Sequence, residues 1–182
     1  IVQQPSGRGS TVIFRNAGAS DQFGIETAIN WDILNHPKQF VQHLDWNIAY
    51  TYHHFKFKNY RKEGNNYSGN KFTGVAPNTV VSTINAKTKP GFYGMISYNF
   101  TDEIPLNDAN TVYSEAYHLM QAKVGLQREL AKNWQLDLFM GIDNVLNETY
   151  SLGNDLNAFG GRYYQPAAPR NWFGGAKIRI TL

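Results

Sequence analysis

Apolar and polar residues alternate along most of this chain. In NWFGGAKIRITL, Trp172, Gly174, Ala176, Ile178, Ile180 and Leu182 share one face, and Phe173, Gly175, Lys177, Arg179 and Thr181 the other. A period of two is the mark of a β-strand with one apolar side. Trp134, Leu136, Leu138, Met140 and Ile142 repeat it, as do Met120, Ala122, Val124 and Leu126. So do Phe92, Gly94, Ile96, Tyr98 and Phe100, then Leu44, Trp46, Ile48, Tyr50 and Tyr52, and finally Phe23, Ile25, Thr27, Ile29, Trp31 and Ile33. PNTVVSTINAKT is the thinnest case, with Val80, Ile84 and Ala86. No segment follows the helical period. The pattern predicts an all-β chain of seven antiparallel strands, with a remnant of another at Ile1–Gln4.

A soluble sandwich also has one apolar face per strand. Three features point to a membrane barrel instead. Several strands sustain alternation over roughly ten residues, the length of a tilted membrane-spanning strand. The connectors alternate between short (NHPKQ, TKPG, LAKN) and long (KNYRKEGNNYSGNKFTGVA, TDEIPLNDANTVYSE, NETYSLGNDLNAFGGRYYQPAAP). Outer-membrane barrels have short periplasmic turns and long external loops. Trp31, Trp46 and Trp134 lie beside short turns, which predicts one shared interface, and Trp172 lies at the opposite end.

Composition narrows the choice. The 182 residues carry a net charge of +3, and Lys and Arg are scattered, which argues against a nucleic-acid surface. There is no cysteine, so no disulfide or thiolate metal site. Aromatics make up 14%. Mean hydropathy is −0.46 and no long apolar run occurs, so no helix is expected to span a membrane. The polar faces carry Glu26, Asp32, Lys87, Lys123, Asp137, Asp143, Lys177 and Arg179. Charges of both signs on many strands suit a wide barrel with a wet or plugged lumen; a narrow barrel with an internal ion-pair network is the alternative. The start at Ile1, without a basic and apolar leader, leads to the expectation that residues 1–182 are the C-terminal part of a larger barrel. Seven strands do not close a barrel, and the edge of the last strand needs a partner.

Six stretches, in order, are similar to one family. FRNAGASDQFGIETAINW resembles the NAG…GxE segment of TonB-dependent outer-membrane receptors, and WNIAYTYHHFKF their next strand. GNKFTGVAPNTV resembles their loop-to-strand step, and LNDAN with the following Tyr an external loop. DLFMGIDNVLNETY and YYQPAAPRNWFGGAKIRITL resemble the last two strands. Leu182 stands where the family usually ends in Phe. The resemblance implies a 22-stranded barrel in the outer membrane of a Gram-negative bacterium, with a plug domain and a TonB box upstream. It implies uptake of a scarce nutrient, most nearly a ferric siderophore or other iron complex, powered by the TonB complex. Implied partners are outer-membrane lipid, lipopolysaccharide and the upstream part of the same receptor. The alternative is a small autonomous barrel with a structural or adhesive role.

Nothing suggests an enzyme, a cofactor or a metal site. His53 and His54 are adjacent on a strand and point to opposite faces; the change of apolar parity there, from Tyr50 and Tyr52 to Phe55 and Phe57, predicts a bulge or the membrane rim. Asp137 and Asp143 share a face but lie roughly 20 Å apart, too far for an acid–base pair. His118 and Ser114 lack a third partner for hydrolysis. The first long loop is basic (Lys56, Lys58, Arg61, Lys62, Lys71), the second acidic (Asp102, Glu103, Asp108, Glu115), and the third aromatic (Tyr150, Phe159, Tyr163, Tyr164). A basic loop draws in an anionic chelate, and Tyr stacks on an aromatic one. Tyr60, Arg61, Lys62, Tyr163 and Tyr164 are the candidate ligand contacts; solvated loops facing lipopolysaccharide are the alternative.

Overall fold

A computed structural model describes residues 2–5, 12–15 and 18–181. The strands are β1 (Val2–Pro5), β2 (Val12–Arg15), β3 (Ala19–Asn35), β4 (Val41–Lys58), β5 (Arg61–Lys62), β6 (Asn65–Asn66), β7 (Asn78–Thr88), β8 (Phe92–Thr101), β9 (Ile104–Pro105), β10 (Tyr113–Ser114), β11 (Tyr117–Ala131), β12 (Trp134–Asp143) and β13 (Asn171–Ile180). Seven of them form one antiparallel sheet in the order β13-β12-β11-β8-β7-β4-β3. All seven predicted strands are there, and β3, β4 and β11 run well past the predicted ends. The expected remnant is one arm of a hairpin, because β1 pairs with β2 in a separate ladder. Ile1, Asn16, Ala17 and Leu182 lie outside the described residues.

The register turns the alternation of single strands into continuous rows. Trp31, Trp46, Ile84, Ile96, Ala122, Ile142 and Trp172 are successive cross-strand partners through all seven strands. The row meets β3 near its short-turn end and β13 near its long-connector end. Strands tilted and staggered as in a barrel produce this oblique course, so one row carries tryptophans at opposite ends of the sheet. Trp46 donates its indole N–H to Ser82 (2.8 Å), which gives the polar residue in the middle of the thin row of β7 a partner on the apolar face. Ile25, Ile29, Ile96, Val124, Leu136, Leu138, Ile178 and Ile180 share this face and form no common core. Ile29, Val124 and Ile178 are each more than half exposed.

Three bulges gather at the short-turn ends, between Asp32 and Leu34, Val41 and His43, and Glu129 and Ala131. An extra residue bends a strand and re-aims its side chains. Ile33, expected to continue the apolar row of β3, is the extra residue there, and Leu34 resumes the row opposite Leu44. No bulge interrupts the β3–β4 ladder at His53 and His54, which are in register from Ala19↔Lys58 inward. The parity change falls where β4 leaves β7. The β4–β7 pairing stops at Tyr52↔Asn78, and beyond it Phe55 and Phe57 exchange backbone hydrogen bonds with the following loop.

On the polar face, rings lie across glycines of neighbouring strands. A Cβ on Gly125, Gly141 or Gly175 would come within 2.3, 2.3 and 2.7 Å of Tyr93, Phe173 and Phe139. Glycine lets each ring lie flat against the backbone, an arrangement that pins register. Lys123 Nζ sits 4.4 Å from the Phe139 ring, and Tyr93 donates to Asp137 (2.8 Å). Among the described residues neither β3 nor β13 has a partner on its outer edge, and no ladder joins β13 to β3. The sheet is an open wall.

Candidate functional site

The long connectors all leave the same end of the sheet. The first (residues 59–77) holds the β5–β6 hairpin, the second (102–116) the β9–β10 hairpin, and the third (144–170) a short 3₁₀ turn at Phe159–Gly161. The sheet has two exposed faces; most of the buried side chains are here. Leu106 is wholly buried, and Tyr60, Asp108 and Ser114 are 5%, 8% and 3% exposed.

Asp108 joins the three connectors. Its Oδ2 accepts from the Tyr60 hydroxyl (2.8 Å), and its Oδ1 from Thr73 (2.7 Å) and from the Asn157 amide (3.0 Å). Its backbone N–H donates to Asn157 Oδ1 (3.0 Å), and its carbonyl accepts from Asn70 (2.8 Å). Asn110, in a left-handed conformation that asparagine tolerates, exchanges two hydrogen bonds with the Lys71 backbone (2.7 and 3.0 Å). A buried charge is stable only when it is hydrogen-bonded. Burial works against ionisation of Asp108, but the bonds from Thr73, Asn157 and Tyr60 outweigh it and hold the carboxyl below its ordinary value. Burial, then the bond to Asp108, pushes the Tyr60 phenol well up.

Beneath this junction Tyr60 packs against Phe57 (4.6 Å between centroids) and Tyr67 (5.6 Å), and Phe57 against Phe72 (4.8 Å). The basic and acidic loops are therefore one unit with paired charges. Lys71 binds Glu103 at 2.8 Å, a bond that raises the lysine's pKa, and Lys58 reaches Asp21 at 3.2 Å. Lys56, Arg61 and Lys62 of the basic loop make no ion pair among the described residues.

Two cavities open in this layer. One of about 240 Å³ is lined by Lys62, Glu63, Tyr67, Asn107, Asn157 and Tyr163. The other, about 330 Å³, is lined by Tyr113, Ser114, Glu115, Glu148, Tyr150 and Tyr164, among others. Of the candidate contacts, Lys62 and Tyr163 share the first cavity. Tyr164 is in the second, with its hydroxyl on the Tyr113 carbonyl (2.8 Å). Arg61 is exposed in the β5–β6 hairpin, and Tyr60 lies beneath the surface with its hydroxyl engaged by Asp108. Nothing in the sequence marks Asn157, while Asp108 stands out only as one acid of the second loop and Ser114 only as a hydrolase candidate without a third partner. NDAN reads as a turn, and its reach to the other loops is a tertiary fact.

The remaining candidates stay apart. His53 Nδ1 lies 3.2 Å from the Ala76 carbonyl, and His54 Nδ1 3.3 Å from the Tyr52 hydroxyl, on opposite faces. His118 Nδ1 bonds the Tyr98 hydroxyl (2.7 Å) on the apolar face, away from the pocket that holds Ser114. Asp143 is bonded to Gln121, and Asp137 to Tyr93. No group of three metal-ligating side chains occurs among the described residues.

Long antiparallel strands, one continuous apolar face, short turns at one end and knitted loops at the other define a segment of a transmembrane β-barrel. The chain belongs to the TonB dependent receptor-like β-barrel family, whose model matches residues 1–145. Three solved structures share the fold. The siderophore receptor PiuA from Acinetobacter baumannii is 21% identical with a TM-score of 0.67, over 88% of this chain and 22% of that one. The ferric yersiniabactin uptake receptor FyuA from Yersinia pestis is 19% identical with a TM-score of 0.67, over 91% and 24%. The unliganded ferric citrate transporter FecA is 16% identical with a TM-score of 0.70, over 87% and 24%. The chain thus spans under a quarter of the length of these relatives.

Proposed function

We propose that this chain is the C-terminal wall of an outer-membrane receptor that takes up a ferric siderophore or another iron complex with energy from the TonB complex. The observation that carries the reading is the apolar row crossing all seven strands, in a sheet with no described partner on either edge. In water such a face is a liability. Against lipid it is the required surface, with the polar face turned to the lumen.

The unmet backbone groups of β3 and β13 call for the upstream part of the same receptor, since each unpaired group in hydrocarbon costs several kcal/mol. The plug and the TonB-contacting segment belong to that upstream part. Lipid covers the apolar rows, and lipopolysaccharide meets their outer ends. The knitted connectors form the external mouth. Lys62 and Tyr163 line one ligand pocket and Tyr164 another, with Arg61 at the rim. Tyr60 lies beneath the surface and holds Asp108, which lines the same pocket as Lys62. No covalent chemistry is required of any residue.

The test is growth and radiolabelled iron uptake under iron restriction. A strain lacking the full-length gene should lose uptake of at least one ferric chelate. The gene should restore it only when TonB is present. Unchanged uptake of every chelate in the deletion strain defeats the proposal.

A further inference from the structure

We propose that the cavity between the second and third connectors binds a primary or secondary ammonium group, so that the receptor's ligand is a chelate with a pendant cation. The inference rests on the uptake reading above and specifies the charge of what is taken up.

Glu115 and Glu148 line the cavity and make no ion pair among the described residues. No Lys or Arg lines it. Lys71, whose Nζ lies 5.5 Å from the Tyr113 ring centroid, is held by Glu103. An independent sign comes from Ser114. It is 3% exposed and lines the cavity, yet its hydroxyl makes no hydrogen bond to a described residue. With no described partner, the hydroxyl oxygen at the cavity wall is free to accept from a donor that enters.

The groups present suit an ammonium. It brings up to three N–H donors, and two carboxylates and a serine oxygen accept them. The rings of Tyr113, Tyr150 and Tyr164 offer negative faces to a cation. Two unpaired carboxylates repel an anion entering the same space. The cavity also lies on the polar side of the sheet. Tyr117 shares a face with Lys123, and the Tyr150 ring packs against it at a tilt with centroids 5.0 Å apart. In the proposed barrel that side is the lumen, where a ligand passes. The basic side chains expected to attract an anionic chelate are partly neutralised, since Lys58 and Lys71 are ion-paired.

The experiment uses full-length receptor in detergent and three gallium trihydroxamates that differ in one pendant group: a free ammonium, its N-acetyl form and its N-succinyl form. Calorimetry reads affinity for each on wild type and on Glu115→Gln/Glu148→Gln. Neither glutamate side chain makes a described hydrogen bond, so the variant should fold, and its thermal melt checks this. The ammonium chelate should bind the wild type most tightly. It should lose roughly tenfold or more in the variant, the scale of charge-assisted hydrogen bonds, while the N-acetyl chelate should not change. Equal binding of all three, tighter binding of the succinyl form, or an ammonium affinity untouched by the variant overturns this inference and leaves the uptake reading standing. A receptor that binds none of the three and supports no chelate uptake in cells overturns both.

Discussion

The sheet and the connector layer are held together by different means. In the seven-stranded sheet the backbone ladders carry the structure. Rows such as Trp31-Trp46-Ile84-Ile96 present side chains outward, and no shared core lies beneath them. In the connectors regular pairing is limited to two-residue hairpins, and buried side chains carry the structure, with Asp108 bonded to Tyr60, Thr73 and Asn157. The two regions answer to different solvents. Hydrocarbon cannot satisfy a backbone amide, so strands in it must pair completely with their neighbours. Water can, so external loops need a specific buried anchor to prefer one shape over many.

Substitutions that strike one region should spare the other. The largest effect is expected from Asp108→Ala, which strips buried Tyr60 and the less buried Thr73 and Asn157 of their shared acceptor. A loss of about 3–5 kcal/mol is expected from three hydrogen bonds to a charged acceptor, each worth about 1.5–3 kcal/mol at most and less where the donor is exposed. Amide exchange should rise across residues 59–77, 102–116 and 144–170 and stay unchanged in β11 and β12. Loss of protection throughout the sheet would show that the two regions are a single cooperative unit.

The same junction sets a pH window for the loops. The folded pKa of Asp108 is depressed, so its contribution is present above the ordinary value of 3.8 and is lost as pH falls through the lower folded value. That of Tyr60 is raised, so its contribution is present below 10.0 and is lost as pH rises through the higher folded value. Loop protection should therefore be flat between these limits and fall away outside them. A midpoint near pH 6 would contradict the assignment of the junction to these two groups.

Next in size is Leu138→Arg, in the middle of β12 on the apolar face. In a bilayer it should cost about 2–4 kcal/mol. Refolding of the full receptor into lipid vesicles reads this, and Gln127→Arg on the opposite face of β11 is the control. Equal effects at the two positions would remove the distinction between lipid and lumen faces. A smaller loss, about 1–3 kcal/mol, should follow Gly141→Ala, whose added methyl would meet the Phe173 ring at 2.3 Å. Gly94→Ala has nothing nearer than 3.7 Å and should be close to neutral. The smallest change is expected from Glu103→Gln. Its ion pair with Lys71 is nearly half exposed, so screening leaves it worth well under about 1 kcal/mol in connector stability.

The sheet was legible because a period of two in sequence maps directly onto two faces in space. Even β7, with only Val80, Ile84 and Ala86 to mark it, fell between clear neighbours and pairs with both. What alternation could not show is where an extra residue enters a strand. Ile33 fits the period and is nonetheless the bulge residue, because its place depends on Leu34 meeting Leu44 across the ladder. The connectors were legible only as lengths and charges. Basic Lys71 and acidic Glu103 are 32 residues apart and form an ion pair, and Tyr60 and Asp108 are 48 apart and share a hydrogen bond.

By itself, then, the amino-acid sequence determined the strands, their apolar faces and the alternation of short and long connectors, because these depend on neighbours one and two residues away. Only the tertiary structure decided the stagger that runs one row from Trp31 to Trp172, the closure of three loops on Asp108, and the cavity where Ser114 meets Glu115 and Glu148. Those depend on which distant segments bring a donor within about 3 Å of an acceptor, the reach of a hydrogen bond.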